Sequence, residues 1–319
     1  MPLEILLSSV TILFLAIAVY TVYDNSRIAV VEQAIEIEDL PDAFDGFTIL
    51  QVTDLHERRF GPGQQRLLDV IADCDYDIIA FTGDMLNRRT QDADPFWELL
   101  DGLDEDAKIF FTRGNTDPPD FDFGSGERLE FGRELRERGV NLLDEPQPIR
   151  RESHTLWITE LQFFGRINAR MRSARWALDA AGEDHDVDRA RATWDRWQSI
   201  SRFWRTVDPA DIKIALTHFP VNPRILGYSP HDLPDYDLIL AGHYHGGQIR
   251  VPFYGALYIP DAMDGWLPPQ EMVNGLLERG RHRQYVSRGL GKSDRFLLLS
   301  FRLFNTPEVN LITLRKPGQ

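Results

Sequence analysis

Seven side chains able to ligate a divalent cation stand at the tips of five apolar runs. Asp54 and His56 follow 47–52, Asp84 follows 77–81, and Asn115 follows 108–111. His218 follows 212–216, and His243 and His245 follow 237–241. Carboxylate, imidazole and amide donors suit a borderline-hard cation. The i, i+2 spacing of Asp54 with His56 and of His243 with His245 puts each pair on one face of an extended segment. Gly83, Gly114 and Gly242 precede three of the tips and permit tight turns or close backbone approach. Seven ligands exceed the need of one zinc-like ion and suit two ions sharing a bridging carboxylate. Taken singly these motifs are common. Their ordered recurrence, each after its own apolar strand, carries the inference to metal-assisted chemistry.

Such tips need a scaffold that delivers them to one place. Helical periodicity over 64–74, 96–103 and 127–138 alternates with the strands at 47–52, 77–81 and 108–111. That alternation argues for a parallel sheet with crossover helices, whose sites lie at the carboxyl ends of the strands. Residues 28–38 and 155–161 read as further strands, and 183–206 as a long Arg- and Trp-rich helix. From Gln248 to Leu314 short strands alternate with Gly and Pro turns, which predicts a second, mixed sheet. No Gly-, Ser- or Pro-rich linker divides the chain. The expected organisation is an N-terminal segment, 1–27, and one domain, 28–319, with a helical insertion at about 166–206. Within that insertion Trp194, Trp197 and Trp204 fall near one helical face with Ile200 and Phe203. The stripe is either core contact, with the Arg residues solvated opposite, or an interfacial face that brings a membrane substrate to the site.

Fifty acidic residues against 35 basic ones give a formal charge of −15, which argues against a nucleic-acid partner held through phosphates. A single cysteine, Cys74, excludes an internal disulfide framework and reads as a small core residue. Residues 5–23 carry no charge and as a helix would be roughly 28 Å long, close to a bilayer's hydrocarbon core. Tyr20 and Tyr23 fall where an interfacial aromatic belt belongs. The segment lacks a basic stretch before its apolar run. This favours a retained membrane anchor over a signal peptide cleaved at Ala16-Ile17-Ala18. Arg27 is the only basic residue near either flank, so charge leaves the orientation open.

The series TDLH (53–56), TGDM (82–85), RGNTD (113–117), THFP (217–220) and AGHYHGGQI (241–249) resembles the calcineurin-like metallophosphoesterase superfamily. IEIEDLPDAFDGFTILQVTDLH after an uncharged anchor resembles its membrane-anchored bacterial branch, as do GHYHGGQIRVPFYGALY, YVSRGLGKS and TPEVNLITL. The likeness spans nearly everything after the anchor except about 150–206. It implies an α/β (α+β mixed) fold, a two-sheet β-sandwich flanked by helices with metals at the sheet edge. Carried over motif by motif, Asp54, His56 and His245 would hold one ion and Asn115, His218 and His243 the second, with Asp84 bridging. The implied cofactors are two divalent ions (Mn, Fe or Zn). The implied reaction is hydrolysis of a phosphodiester or pyrophosphate by a metal-bridging hydroxide, with Asn115 also acting catalytically through its amide. A lipid-linked or envelope substrate and an extracytoplasmic catalytic domain fit the branch. A broad phosphomonoesterase and a catalytically silent anchored scaffold are the alternatives.

One position departs from the pattern. Many relatives carry a histidine after the Gly-Asn pair to protonate the leaving group, with an acid beside it. Here the residues are Thr116 and Asp117. A threonine hydroxyl is a poor general acid, and the loss weighs most on poor leaving groups. A diester or pyrophosphate is therefore favoured over a monoester. Tyr244, His231 and His154 are the other candidate proton donors.

Overall fold

The computed structural model describes residues 3–318 except 123–124, 126, 162–166, 181–185, 224–235, 262–263, 281 and 294–300. Helix α1 (Leu3–Ser26) leads into strands β1 (Ala29–Glu36) and β2 (Thr48–Val52). Next come α2 (Gln65–Ala72), β3 (Ile78–Phe81), α3 (Asp94–Asp101) and β4 (Ile109–Phe111). A small hairpin, β5 (Phe121–Asp122) and β6 (Glu127–Arg128), precedes α4 (Glu130–Glu137) and β7 (Asn141–Leu142). Then follow β8 (Gln147–Arg151), β9 (His154–Glu160), α5 (Ile167–Ala180), α6 (Asp186–Trp204), β10 (Ile212–Leu216) and β11 (Leu238–Ala241). The chain closes with the hairpin β12 (Arg250–Val251) and β13 (Gly255–Ala256), then β14 (Gly275–Arg279), β15 (His282–Val286) and β16 (Glu308–Arg315).

Two six-stranded sheets result, ordered β1-β16-β2-β3-β4-β7 and β14-β15-β11-β10-β9-β8. The parallel βαβ series forms as the spacing predicts, with β2, β3, β4 and β7 in parallel register. The second sheet is mixed, but its membership differs from expectation. It recruits β9, β10 and β11, whereas β16 crosses back to lie antiparallel to β2 in the first sheet. Pairing between strands some 260 residues apart leaves no local signal, because periodicity reports burial and not partners.

Strict alternation on the first sheet explains its two covered faces. Ile49, Ile78, Ala80 and Phe110 point inward against Leu156, Ile214, Leu216 and Leu240 of the second sheet. Their neighbours Leu50, Ile79, Phe81 and Phe111 point outward under Leu67 and Ile71 of α2, Phe96 and Leu99 of α3 and Leu135 of α4. A strand buried on both faces must be apolar throughout, as IIAF and IFF are. Cys74 is half-buried at the margin of the helix-side core, rather than a fully enclosed residue.

The stretch between β9 and β10 contains two described helices where the sequence predicts one. Trp197 and Ile200 of α6 are buried against Ala174 of α5, with Trp194 and Trp204 partly buried beside them. Phe203 stacks edge-on against Trp157 of β9 at 5.1 Å between centroids. The tryptophan stripe is therefore packing surface and not an interfacial face. His231 lies outside the described residues.

Helix α1 projects from this body with no part of its apolar window buried, at a mean hydropathy of 2.4. Twenty-four residues rise about 36 Å, enough to cross a bilayer. Its last turns are tied down. Asn25 donates to the Arg302 carbonyl at 2.8 Å, Thr306 donates to Asp24 at 2.6 Å, and Tyr20 packs on Phe304 at 5.3 Å.

Candidate metal centre

The carboxyl ends of β2, β3, β10 and β11 converge between the sheets. Gln51 of β2 fixes the approach, donating through Nε2 to Thr82 Oγ1 and across to the Ala241 carbonyl of the second sheet, both at 2.9 Å. Beyond these ends the ligand-type side chains form two groups, Asp54 with His56 and His245, and Asp84 with His218 and His243, all buried except the half-buried His243. His56 Nε2 lies 3.2 Å from His245 Nε2, and His245 Nε2 lies 3.4 Å from Asp54 Oδ1. His243 Nδ1 lies 3.0 Å from His218 Nε2, which is 3.2 Å from Asp84 Oδ2. The same Asp84 oxygen is 3.6 Å from His56 Nε2, so it faces histidines of both groups.

These spacings are what a cation's ligands require. Bonds of about 2.1 Å meeting at 90–110° put neighbouring donor atoms roughly 3.0–3.4 Å apart. The residues present thus fit two small divalent ions.

The far nitrogens set the near ones. His218 Nδ1 contacts the Thr82 carbonyl at 2.9 Å, and His56 Nδ1 contacts Asn87 Oδ1 at 3.2 Å. Each contact orients the ring so that Nε2 faces the site. Charge is distributed unevenly. Burial opposes protonation of His218, yet Asp84 raises its pKa to about 9. Burial and then the His218 charge push His243 down to about 3. Burial and His56 likewise hold His245 well below the ordinary range. Burial works against the Asp84 anion, but His218 and His56 hold its carboxyl far below the usual value. Burial raises Asp54 against the pull of His218.

Backbone strain concentrates here. Asp54, His56, Asp84, His243 and His245 all have φ between +47° and +74°. Each such non-glycine conformation costs on the order of 1 kcal/mol and persists only where surroundings impose it. Two glycines let the tips meet. A Cβ on Gly114 would stand 2.1 Å from Asp84 Oδ1, and one on Gly242 would stand 2.3 Å from Thr53 Oγ1 and 2.5 Å from Asp54 Oδ2.

Asn115, the amide of the predicted set, shares a cleft with His218. It is exposed and lines a cleft of about 580 Å³ beside His218, Phe219 and Arg113. Thr116 is buried with its hydroxyl committed to the Leu86 carbonyl at 2.6 Å, and its backbone N–H donates to Asp84 Oδ1 at 2.8 Å. The Tyr244 hydroxyl is likewise committed to Asp261, at 2.9 Å. His154 opens β9, whose other end, at Glu160, borders the cleft, so the imidazole sits a seven-residue strand away, roughly 20 Å.

A sequence profile of the calcineurin-like phosphoesterases matches residues 47–247, from the strand before Asp54 to just past His245. The chain belongs to the calcineurin-like phosphoesterase family. Phosphodiesterase YaeI of Escherichia coli (strain K12) is 26% identical over 272 residues, 84% of this chain and 82% of YaeI. The uncharacterized metallophosphoesterase YkoQ of Bacillus subtilis (strain 168) is 27% identical over 268 residues, 82% of this chain and 81% of YkoQ. This phosphoesterase is accordingly a metal-dependent phosphoester hydrolase.

Several residues that shape the phosphoesterase site carry no ligand motif. Asp117 is buried and accepts the backbone N–H groups of Asp84 (2.8 Å), Met85 (2.7 Å), Leu86 (3.0 Å) and Gly114 (2.8 Å). It orders two metal-side loops at once, whereas the sequence pattern suggests an acid that orients a neighbouring histidine. Arg302 is fully buried, donating to the carbonyls of Asn305, Arg288 and Gly291, and so ties the loop under α1 to the backbone beside Asp54. Gly291 N–H in turn donates to the Asp54 carbonyl at 2.6 Å. The only available sequence signal was the unusual Arg and Asn inside a short apolar stretch.

Proposed function

We propose that the chain is a membrane-anchored phosphodiesterase working with two divalent cations. Asp54, His56 and His245 hold one, Asn115, His218 and His243 the other, and Asp84 spans both. Residues 1–27 form the anchor and 28–319 the catalytic unit, with the helical insertion at about 166–206 and the catalytic unit on the extracytoplasmic side. The observation that carries the reading is the position of Asp84 Oδ2, 3.2 and 3.6 Å from histidines of the two groups. When bound, the two cations supply Lewis acidity and a water acidified to near neutrality.

The chain's own residues supply orientation and substrate contact. Thr82 and Asn87 fix the rings of His218 and His56. Asn115 and Arg113 line the cleft that meets His218. From there an amide and a guanidinium can reach the equatorial phosphoryl oxygens, where charge develops in phosphoryl transfer. Neither Thr116 nor Tyr244 offers a free hydroxyl proton to a leaving group, because both hydroxyls already donate elsewhere. Departing oxygens that are stable as anions are therefore preferred, which supports a diester or pyrophosphate over a monoester.

The test is hydrolysis of bis-p-nitrophenyl phosphate and p-nitrophenyl phosphate by the Mn²⁺-loaded chain. Diester turnover is expected to exceed monoester turnover, and Asp84→Asn or chelation is expected to abolish it. A monoester preference would replace this reading with a phosphomonoesterase, and turnover that survives chelation would end the metal assignment.

A further inference from the structure

Two cavities adjoin the two ligand groups, and their chemistry differs. The cleft of about 580 Å³ beside His218 runs past Arg113, Asp120, Asp144 and Glu160 toward α6. A second cavity, of about 200 Å³, meets His245 and is walled by Ile249, Leu257, Tyr258, Pro260 and Trp266. Pro260 reaches the other group too, its carbonyl 3.4 Å from His243 Nε2. A phosphoryl group seated between the groups has a charged space on one side and a hydrocarbon-lined space on the other.

The apolar cavity continues outward into exposed apolar side chains. Trp266 is 76% exposed and leans on Tyr258 at 5.1 Å between centroids, and Leu267 beside it is 61% exposed. Phe253 is fully exposed on the β12–β13 turn. Exposed aromatics gathered in one region of a soluble surface mark an interaction site. This region borders the anchor. Arg250 N–H donates to the Leu303 carbonyl at 3.0 Å, and the next residue, Phe304, packs on Tyr20 of α1. The segment 301–306 thus joins the hairpin on one side and the end of the apolar helix on the other.

We propose that the cavity beside His245 receives the hydrocarbon arm of a membrane phospholipid diester, whose polar arm enters the cleft beside His218. This rests on the anchored phosphodiesterase reading above. Water adds to phosphorus, the P–O bond to the polar arm breaks, and the proton lost by the attacking water passes through solvent to that alkoxide, slowly because neither the Thr116 nor the Tyr244 hydroxyl is free to donate one, leaving a monoester on the hydrocarbon arm. The rim formed by Phe253, Trp266 and Leu267 sits at the bilayer surface from which the arm is drawn.

The experiment uses the full chain in detergent, loaded with Mn²⁺, and p-nitrophenyl alkyl phosphates from methyl to hexyl. Burial of each methylene is worth about 0.8 kcal/mol, so kcat/KM is expected to rise about fourfold per carbon until the cavity is filled. Trp266→Ala and Leu257→Ser are expected to flatten that slope, and Trp266→Phe to restore most of it. Phosphatidylglycerol in mixed micelles is expected to be cleaved. A flat chain-length series with bis-p-nitrophenyl phosphate still cleaved overturns the hydrocarbon site while sparing the phosphodiesterase reading. A steep series without cleavage of the phospholipid overturns the membrane source. Absence of any diester cleavage overturns the underlying function instead.

Discussion

Replacing Asp117 with asparagine tests how the two metal-side loops are held. Asp117 Oδ2 accepts N–H groups from Asp84 and Gly114, and Oδ1 accepts those of Met85 and Leu86. Asparagine keeps one acceptor oxygen and turns an NH₂ donor toward the other two amides. Two buried N–H groups then lack an acceptor, at about 1–3 kcal/mol each, so the pair costs roughly 2–6 kcal/mol. Against a typical domain stability of about 5–15 kcal/mol this is large. Burial and the Asp84 charge push the Asp117 carboxyl up to about 6, while the Gly114 and Leu86 amides favour its anion. Movement of Asp84 to relieve the clash would shift an edge of the group it forms with His218 and His243. The assays are denaturant unfolding of the chelated protein and metal content of the reconstituted one. Asp117→Asn is expected to unfold at markedly lower denaturant and to retain less than its full complement of metal. Stability within about 0.5 kcal/mol of the parent, the range of an inert surface change, with metal content intact would show that Asp117 does not hold these loops.

Thr116→Val removes the hydroxyl that donates to the Leu86 carbonyl and is expected to cost about 1 kcal/mol in unfolding free energy. It is expected to leave the ratio of rates for aryl and alkyl leaving groups unchanged; a selective loss with alkyl leaving groups would make Thr116 a proton donor after all. Gly114→Ala drives a methyl to 2.1 Å from Asp84 Oδ1 and is expected to destabilise by about 1–3 kcal/mol and to weaken metal retention. Normal metal affinity in that variant, measured by competition with a chromophoric chelator, would mean that the loops are looser than their packing indicates.

Much of the fold was legible because burial writes itself into strands. IIAF, IFF and LILA are apolar at every position and IKIAL at all but Lys213, as strands covered on both faces must be. The ligand-type residues were legible for a related reason: each ends such a run, where a parallel sheet opens its site. Other features were not. Trp194, Trp197 and Trp204 have a helical period that fits core or membrane equally, and only the packing of Trp197 and Ile200 on Ala174 decides for core. Asp117 reads as an ordinary neighbour of Thr116 until the fold brings four amides from two loops to its oxygens.

By itself the sequence determined the ligand types, their order, the parallel βαβ beginning and an apolar N-terminal helix. These are local properties, set by composition and by periodicity over at most some 20 residues. Tertiary structure alone decided that β16 inserts between β1 and β2, and that Asp54 meets His245 across 190 residues of chain. It also decided that the end of α1 is tied to the loop supporting the Asp54 backbone. Such contacts pair segments with no sequence proximity, and shape complementarity selects them once the two sheets have packed. For that reason RGNTD is seen to divide its labour only in three dimensions: Asn115 on the cleft, Thr116 on a carbonyl, and Asp117 beneath the loop of Asp84.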